Sequence, residues 1–267
     1  MKFFPNFSTF VEIGSFSIQW YAIMILIGAA IAYKIGEYRF KKLDYSTDLL
    51  SDYFFNLLFI GIIGARLWEV IFTWERFASN PMEIFMIWNG GLAIHGGIFT
   101  GLIYSYYFFK KHEIPFLKVG DVIMPCVLIA QACGRWGNFF NHECYGSEVS
   151  LEFLQSLHLP QFIIDHMYIG GAYHHPTFLY EGIGNVICFL IIVFLVRKVQ
   201  KHEGVQFYCY FIAYGVVRYL VESIRMDSFM VGALRVPQLV SIAFILVGIT
   251  GIVYQHYKGN KLDQRLP

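Results

Sequence analysis

Charge is what this sequence has least of. Only 15% of its 267 residues are Asp, Glu, Lys or Arg, against about 25% in an ordinary soluble domain. No basic face is broad enough for a nucleic acid, which excludes that class of partner. Cysteine is sparse as well. There are five, and Cys126, Cys133, Cys188 and Cys209 sit inside apolar runs, where they read as small buried hydrophobes. No spacing suits a zinc site or a disulfide framework, so no metal is expected. The chain has no HExxH, no Ser/His/Asp arrangement and no glycine-rich phosphate loop. It also shows no internal repeat or low-complexity stretch. The N-terminal region lacks the basic segment, short apolar core and cleavage site of a signal peptide, so the first span is expected to act as its own insertion signal.

What is present is apolar surface: 57% of residues are hydrophobic and 19% aromatic. That composition belongs to an integral membrane protein. A span needs about 20 mainly apolar residues. Seven stretches qualify, at 17–36, 52–73, 91–109, 121–140, 177–196, 206–224 and 236–255. The expected fold is therefore an all-α integral membrane protein of about seven transmembrane helices. Residues 1–267 read as a single polytopic membrane domain, with 141–176 as a small extracytoplasmic cap between the fourth and fifth helices. Lys and Arg cluster in alternate connections: Arg39, Lys41 and Lys42; Lys110, Lys111 and Lys118; Arg197, Lys198 and Lys201; and Lys258, Lys261 and Arg265. The long connection from Asn141 to Pro176 has none. This asymmetry predicts the N-terminus outside and the C-terminus in the cytoplasm. The apolar patch Phe162-Ile163-Ile164 suggests a cap lying on the membrane.

With that orientation the intramembrane polar residues gather toward the outer side. They are Tyr21, Arg66, Glu69, His95, Arg135, Asn138, His175, Tyr180, Glu181, Arg218, Glu222 and Arg225. Each central arginine costs roughly 2.5–3.5 kcal/mol on insertion scales. Several facing one layer suggest an anion held between them. The densest stretch is Gly134-Arg135-Trp136-Gly137-Asn138-Phe139-Phe140-Asn141-His142-Glu143-Cys144-Tyr145-Gly146. If it stays helical, Arg135, Asn138 and His142 share one face.

Arg218, Glu222 and Arg225 form a ladder at i, i+4 and i, i+7. Glu222 neutralises one arginine and leaves a guanidinium for a ligand phosphate. Arg66 and Glu69, at i, i+3, look self-satisfied and structural. A lone histidine in an apolar helix, such as His95, is more often a core residue than a catalyst. The two glycines after it remove bulk beside a ring able to take a proton near neutrality. His175, before Pro176, ends an extended segment and either orients that corner or serves as a second acid or base. Tyr21 is either an aromatic-belt anchor or a site residue.

The dense stretch resembles the signature G-R-x-G-N-F-x-N-x-E-x-x-G of bacterial prolipoprotein diacylglyceryl transferases. Trp20-Tyr21, His95-Gly96-Gly97, His175-Pro176-Thr177-Phe178-Leu179-Tyr180-Glu181 and the run from Gly215 through Arg218 and Glu222 to Arg225 fit the same family in order. The resemblance implies an enzyme of lipoprotein maturation in the bacterial cytoplasmic (inner) membrane. It would move the diacylglyceryl group of phosphatidylglycerol to the lipobox cysteine of a prolipoprotein, making a thioether and releasing glycerol phosphate, with no cofactor. It also implies Arg135 and Arg218 on the lipid phosphate, and Asn138 on the head group. His95 would be the leading base or a positioning residue, with Tyr21, Glu143, Gly146, His175 and Glu222 in support. Arg225, Glu181 and Arg66 would be structural. Cys144 falls at an unspecified slot of the signature. The rival reading is a transporter or flippase for an anionic lipid or solute. Such proteins usually place their sites at the midplane between repeats, whereas here the polar groups crowd one side.

Overall fold

The computed structural model describes residues 2–14, 16–232 and 234–263. The chain is mostly helical. Seven long helices cover the seven apolar stretches. They are α1 (Trp20–Lys41), α2 (Thr47–Phe72), α3 (Ile94–Lys111), α4 (Phe116–Phe140), α5 (Thr177–Leu190), α6 (Val205–Glu222) and α7 (Val236–Asp263). Helix α5 continues through a π-helical turn at Ile191–Val196 and on through Arg197–Val199. Five of the seven, α1, α2, α4, α5 and α7, are long and apolar enough to cross a membrane, which makes the protein a multi-pass membrane protein. Helices α3 and α6 have 18 residues each. His95 and the terminal lysines dilute the apolarity of α3, as Gln206, Arg218 and Glu222 do that of α6.

Short strands are the feature that an all-α reading does not anticipate. Strands β1 (Lys2–Phe3), β2 (Thr9–Ile13) and β3 (Phe16–Gln19) form an antiparallel meander ahead of α1. Strands β4 (Glu148–Val149), β5 (Tyr168–Ile169) and β6 (Ala172–His174) pair in the order β4-β6-β5. Strands β7 (Met230–Val231) and β8 (Leu234–Arg235) make a small hairpin before α7. Most are too short for a period-two pattern to register in the sequence.

The chain divides into two compact units, residues 1–36 with 120–267, and residues 37–119. In the first, small residues set the helix packing, the usual device where apolar surroundings give helices no hydrophobic reason to associate. A Cβ added at Gly215 of α6 would lie 2.7 Å from the Ser241 carbonyl oxygen on α7, and one at Gly248 of α7 would lie 2.7 Å from that of Tyr208. Gly28 of α1 approaches the Ala130 carbonyl of α4 in the same way. Buried Asp121 accepts hydrogen bonds from the Gly204 and Phe207 amides at 2.7 and 2.8 Å, capping the start of α6.

Residues 141–176 of this unit form a small folded piece. Ser150 caps the helix Leu151–Ser156 through the Phe153 amide. Ile163 and Ile164 turn inward and pack with Phe139, Leu154, Met167 and Phe178. Of the apolar patch expected to lie on a membrane, only Phe162 is exposed, because the helix Gln161–His166 points its neighbours to the opposite side.

In the second unit α2 and α3 pack through glycines. A Cβ at Gly96 would collide with the Gly64 carbonyl and Trp68, and one at Gly97 would lie 3.2 Å from the Gly61 carbonyl. The glycines after His95 therefore serve helix contact. Arg66 corrects the sequence expectation of a pair with Glu69. Its Nε donates to the Ile84 carbonyl at 2.9 Å, and its Nη1 to those of Gly90 and Gly91 at 2.7 Å each. Its Nη2 donates to the Glu83 carbonyl. The connection from α2 to α3 folds back over the guanidinium in short helical turns, and backbone carbonyls in and just after those turns take its donors. Gly91, at φ +77°, passes so close that an added Cβ would lie 2.6 Å from Nη1.

Candidate active site

Helix α4 brings Arg135 and Asn138 to one face, three residues apart. Arg135 Nη1 donates to Asn138 Oδ1 at 2.9 Å, and Asn138 Nδ2 donates to Glu143 Oε1 at 2.7 Å. Asn138 is buried and uses both ends of its amide, so it ties the arginine to the loop that follows. His142 would share this face only if the stretch stayed helical, and it does not. The helix stops at Phe140, and His142 takes a left-handed conformation at φ +50°. The Glu143 amide then turns back to the Asn138 carbonyl at 3.0 Å. His142 stacks instead on Phe7, and His166 packs against both rings. Burial, and then His166, hold the His142 imidazole below its ordinary range.

The loop beyond is clasped on several sides. Thr177 Oγ1 donates to the Cys144 carbonyl at 2.5 Å. The Gly146 amide donates to the His175 carbonyl at 3.1 Å, and the His175 amide to the Ser147 carbonyl at 3.1 Å. Gly146 also bridges to Arg225, and the Ser147 amide reaches the Ile224 carbonyl at 2.8 Å. A Cβ at Gly146 would lie 2.7 Å from His175 Cβ and 3.2 Å from the Ile224 carbonyl. Only a glycine fits there without displacement. His175 Nδ1 lies 3.1 Å from the Tyr180 hydroxyl, and burial holds the imidazole below its ordinary range. Tyr21 packs on Gly137, where an added Cβ would lie 2.6 Å from its ring, and it is within electrostatic reach of Arg135, Glu143 and Cys144.

Helices α5 and α6 supply the other charges. Glu181 of α5, 2% exposed, is ion-paired with both arginines: Arg135 Nε lies 3.0 Å from Oε1, and Arg218 Nη1 donates to Oε2 at 3.4 Å. Arg218 Nη2 meets Glu222 Oε2 at 2.7 Å, and Arg225 Nε lies 3.9 Å from the same oxygen. The expected ladder is therefore present, but its charge count is not. Arg225 makes a two-pronged pair with Asp227, at 2.9 and 2.8 Å. No guanidinium of the ladder is left unpaired. Burial alone would raise the Asp227 carboxyl; the Arg225 guanidinium bonded to it holds it below its usual range. Burial raises the Cys144 thiol, while Arg225 draws it down.

Sequence reasoning missed Asp227, Ser228 and Arg235. Ser228 Oγ donates to Glu222 Oε1 at 2.7 Å. Arg235 Nη1 donates to the Glu222 carbonyl and, at 2.9 Å, to the Arg225 carbonyl. Asp227 was legible two residues beyond Arg225; Arg235, on the far side of a hairpin, left no signal. His95 and Arg66 belong to the second unit. His95 is the second residue of α3 and is exposed. Among the described residues no three His, Cys, Asp or Glu side chains converge as a metal site.

The arrangement is a set of oriented cationic donors held by carboxylates at the end of apolar helices, suited to holding an anion. A family model described as prolipoprotein diacylglyceryl transferase matches residues 8–254. Similar proteins bear the name phosphatidylglycerol--prolipoprotein diacylglyceryl transferase. One from Halalkalibacterium halodurans is 42% identical over 263 residues, covering 98% of this chain and 91% of that protein. One from Staphylococcus haemolyticus is 43% identical, covering 94% and 88% respectively. One from Staphylococcus aureus is 43% identical, covering 93% and 89%. With the match running from the first strands into the last helix, the chain belongs to the prolipoprotein diacylglyceryl transferase family.

Proposed function

We propose that this protein is the transferase its relatives are named for, moving the diacylglyceryl group of phosphatidylglycerol to the lipobox cysteine of a prolipoprotein. The observation that carries the reading is the meeting of Arg135 and Arg218, from two helices, on the single carboxylate of Glu181. In the reaction the cysteine sulfur bonds to the glyceryl carbon. The carbon–oxygen bond to phosphate breaks, and its electron pair leaves with glycerol phosphate. The thiol proton passes to a base. Arg135 and Arg218 hold the phosphate, whose charge grows as the bond breaks. Asn138 and Glu143 orient Arg135 and the head group, and Gly146 keeps their loop in place. A free thiol near pKa 8.5 is mostly protonated at neutral pH, so a base must help. His95 takes that role, with Tyr21 and His175 in support. Glu222, Arg225 and Arg66 hold the framework.

In this reading α3 and α6 also cross the membrane, giving seven spans in one polytopic domain over 1–267. The N-terminus lies outside and the C-terminus in the cytoplasm of a bacterial inner membrane, with 141–176 as an extracytoplasmic cap. Both substrates then arrive on the outer side, the lipid laterally and the prolipoprotein after export. The test incubates purified protein with phosphatidylglycerol and a lipobox peptide and analyses the peptide by mass. A thioether-linked diacylglyceryl adduct is expected; an unmodified peptide, or one acylated as a thioester, overturns the reading. Orientation is tested separately with single cysteines. One at Ser156 is expected to react with an impermeant reagent on intact cells and one at Lys111 is not.

A further inference from the structure

Arg135 and Arg218 stand on different helices, and no side chain of their own helices brings them together. The group common to both is Glu181, with one oxygen toward each guanidinium. It engages Arg135 through Nε, while Asn138 takes Nη1. Arg218 presents Nη1 to Glu181 and Nη2 to Glu222. At 2% and 1% exposure the two carboxylates are buried, while the arginine side chains, at 21% and 15%, are partly exposed. The anchors are thus more deeply buried than the donors they hold. Two cations side by side in a low-dielectric layer repel each other strongly unless an anion lies between them.

We infer that Glu181 is a positioning residue whose carboxylate sets the separation and facing of Arg135 and Arg218, and so prepares them for a phosphate group. The inference rests on the transferase reading, in which those two arginines hold the lipid phosphate. Four arginines, 135, 218, 225 and 235, lie among four carboxylates, Glu143, Glu181, Glu222 and Asp227. Such a site grips an anion by the direction of its donors rather than by surplus charge. Phosphatidylglycerol carries one negative charge on phosphate, and more accumulates there as the carbon–oxygen bond breaks. Donors fixed in place act most on that later state, so Glu181 governs turnover more than lipid affinity. A carboxylate that merely filled the phosphate position would do the opposite, and its removal would tighten lipid binding.

The experiment measures kcat and KM for phosphatidylglycerol, with thermal midpoint, for wild type, E181Q, E181D, R135K and the double variant R135K/E181Q. E181Q is expected to lower kcat by about 100-fold, the scale of a misplacement near 1 Å, with KM changed less than about threefold. In the R135K background the same change is expected to cost less than about threefold more, because the two residues act as one unit. E181D keeps the charge on a shorter arm and is expected to fall between wild type and E181Q. If E181Q does not fold, E181D and its coupling to R135K carry the test. Folded E181Q with wild-type kcat would make Glu181 a structural counter-ion only. A lowered KM would make it a competitor for the phosphate, and additive losses would make it independent of Arg135; each overturns the inference. If wild type itself transfers nothing, the transferase reading fails instead.

Discussion

Asn138→Leu removes two hydrogen bonds at once while keeping the size of a buried side chain. The bonds run from Arg135 at 2.9 Å and to Glu143 at 2.7 Å, and both partners are charged. A hydrogen bond to a charged group contributes about 1.5–3 kcal/mol. Glu143 is exposed and its share belongs at the low end. About 3 kcal/mol for the pair corresponds to roughly 100-fold in rate, at tenfold per 1.36 kcal/mol. Asn138→Asp separates the two bonds. It keeps an acceptor for Arg135 but replaces the donor to Glu143 with an oxygen, so that two carboxylates face each other. Both variants are expected to lose about 100-fold in kcat/KM in the peptide transfer assay, the first by freeing Arg135 and the second by driving the loop away. Folding is followed by thermal midpoint in the same detergent. A folded Asn138→Leu within about threefold of wild-type kcat/KM would refute the claim that Asn138 fixes Arg135.

Gly146→Ala forces a Cβ to within 2.7 Å of His175 Cβ. It is expected to destabilise by about 1–3 kcal/mol, seen as a lowered thermal midpoint, and to reduce activity with it. Arg66→Leu strips donors from four backbone carbonyls of residues 83–91. Faster hydrogen exchange in that segment is the expected outcome, at about 1–3 kcal/mol for each acceptor left buried and unpaired. His142 and His175 bind protons less readily in the fold than in the unfolded chain, chiefly through burial. The unfolded state therefore takes up more protons below about pH 6.5, and the stability these residues contribute is intact above that value and lost as pH falls through it. The thermal midpoint is expected to decline from pH 7 toward 5, and His142→Asn to flatten the decline. His95→Asn is expected to lower transfer by about 10²–10⁴-fold, with partial recovery at higher pH where the peptide thiol ionises unaided.

The helices were legible because each is a long apolar run, a signal that averages over many residues. All seven expected stretches are helical, with ends shifted by a few residues at most of them. The strands were not, since a two-residue strand such as β4 exists only through its partner β6. The pairing of Arg218 with Glu222 could be read from spacing along one helix. The partners of Arg66 could not, because backbone carbonyls carry no mark in a sequence. The end of α4 at Phe140 falls where the fourth apolar stretch ends, but the turn just beyond it could not be read. Nothing in Asn141-His142-Glu143 announces a left-handed residue, and the turn there is closed by the Glu143 amide on the Asn138 carbonyl.

The ion pairs around Glu181 have a consequence for biogenesis. A polytopic chain enters the bilayer in the order of its synthesis. Asn138 is available to Arg135 within α4 itself, as Glu222 is to Arg218 within α6. Glu181, by contrast, joins α4, α5 and α6 and can do so only after all three have left the ribosome. Until then Arg135 has Asn138 of its own helix but no carboxylate from α5. Assembly of the charged cluster is therefore a late event, and Glu181 ties together three helices that have already been synthesised. A chain truncated between α5 and α6 would be left with Glu181 facing a single arginine, and its second oxygen would lack the cation that α6 supplies.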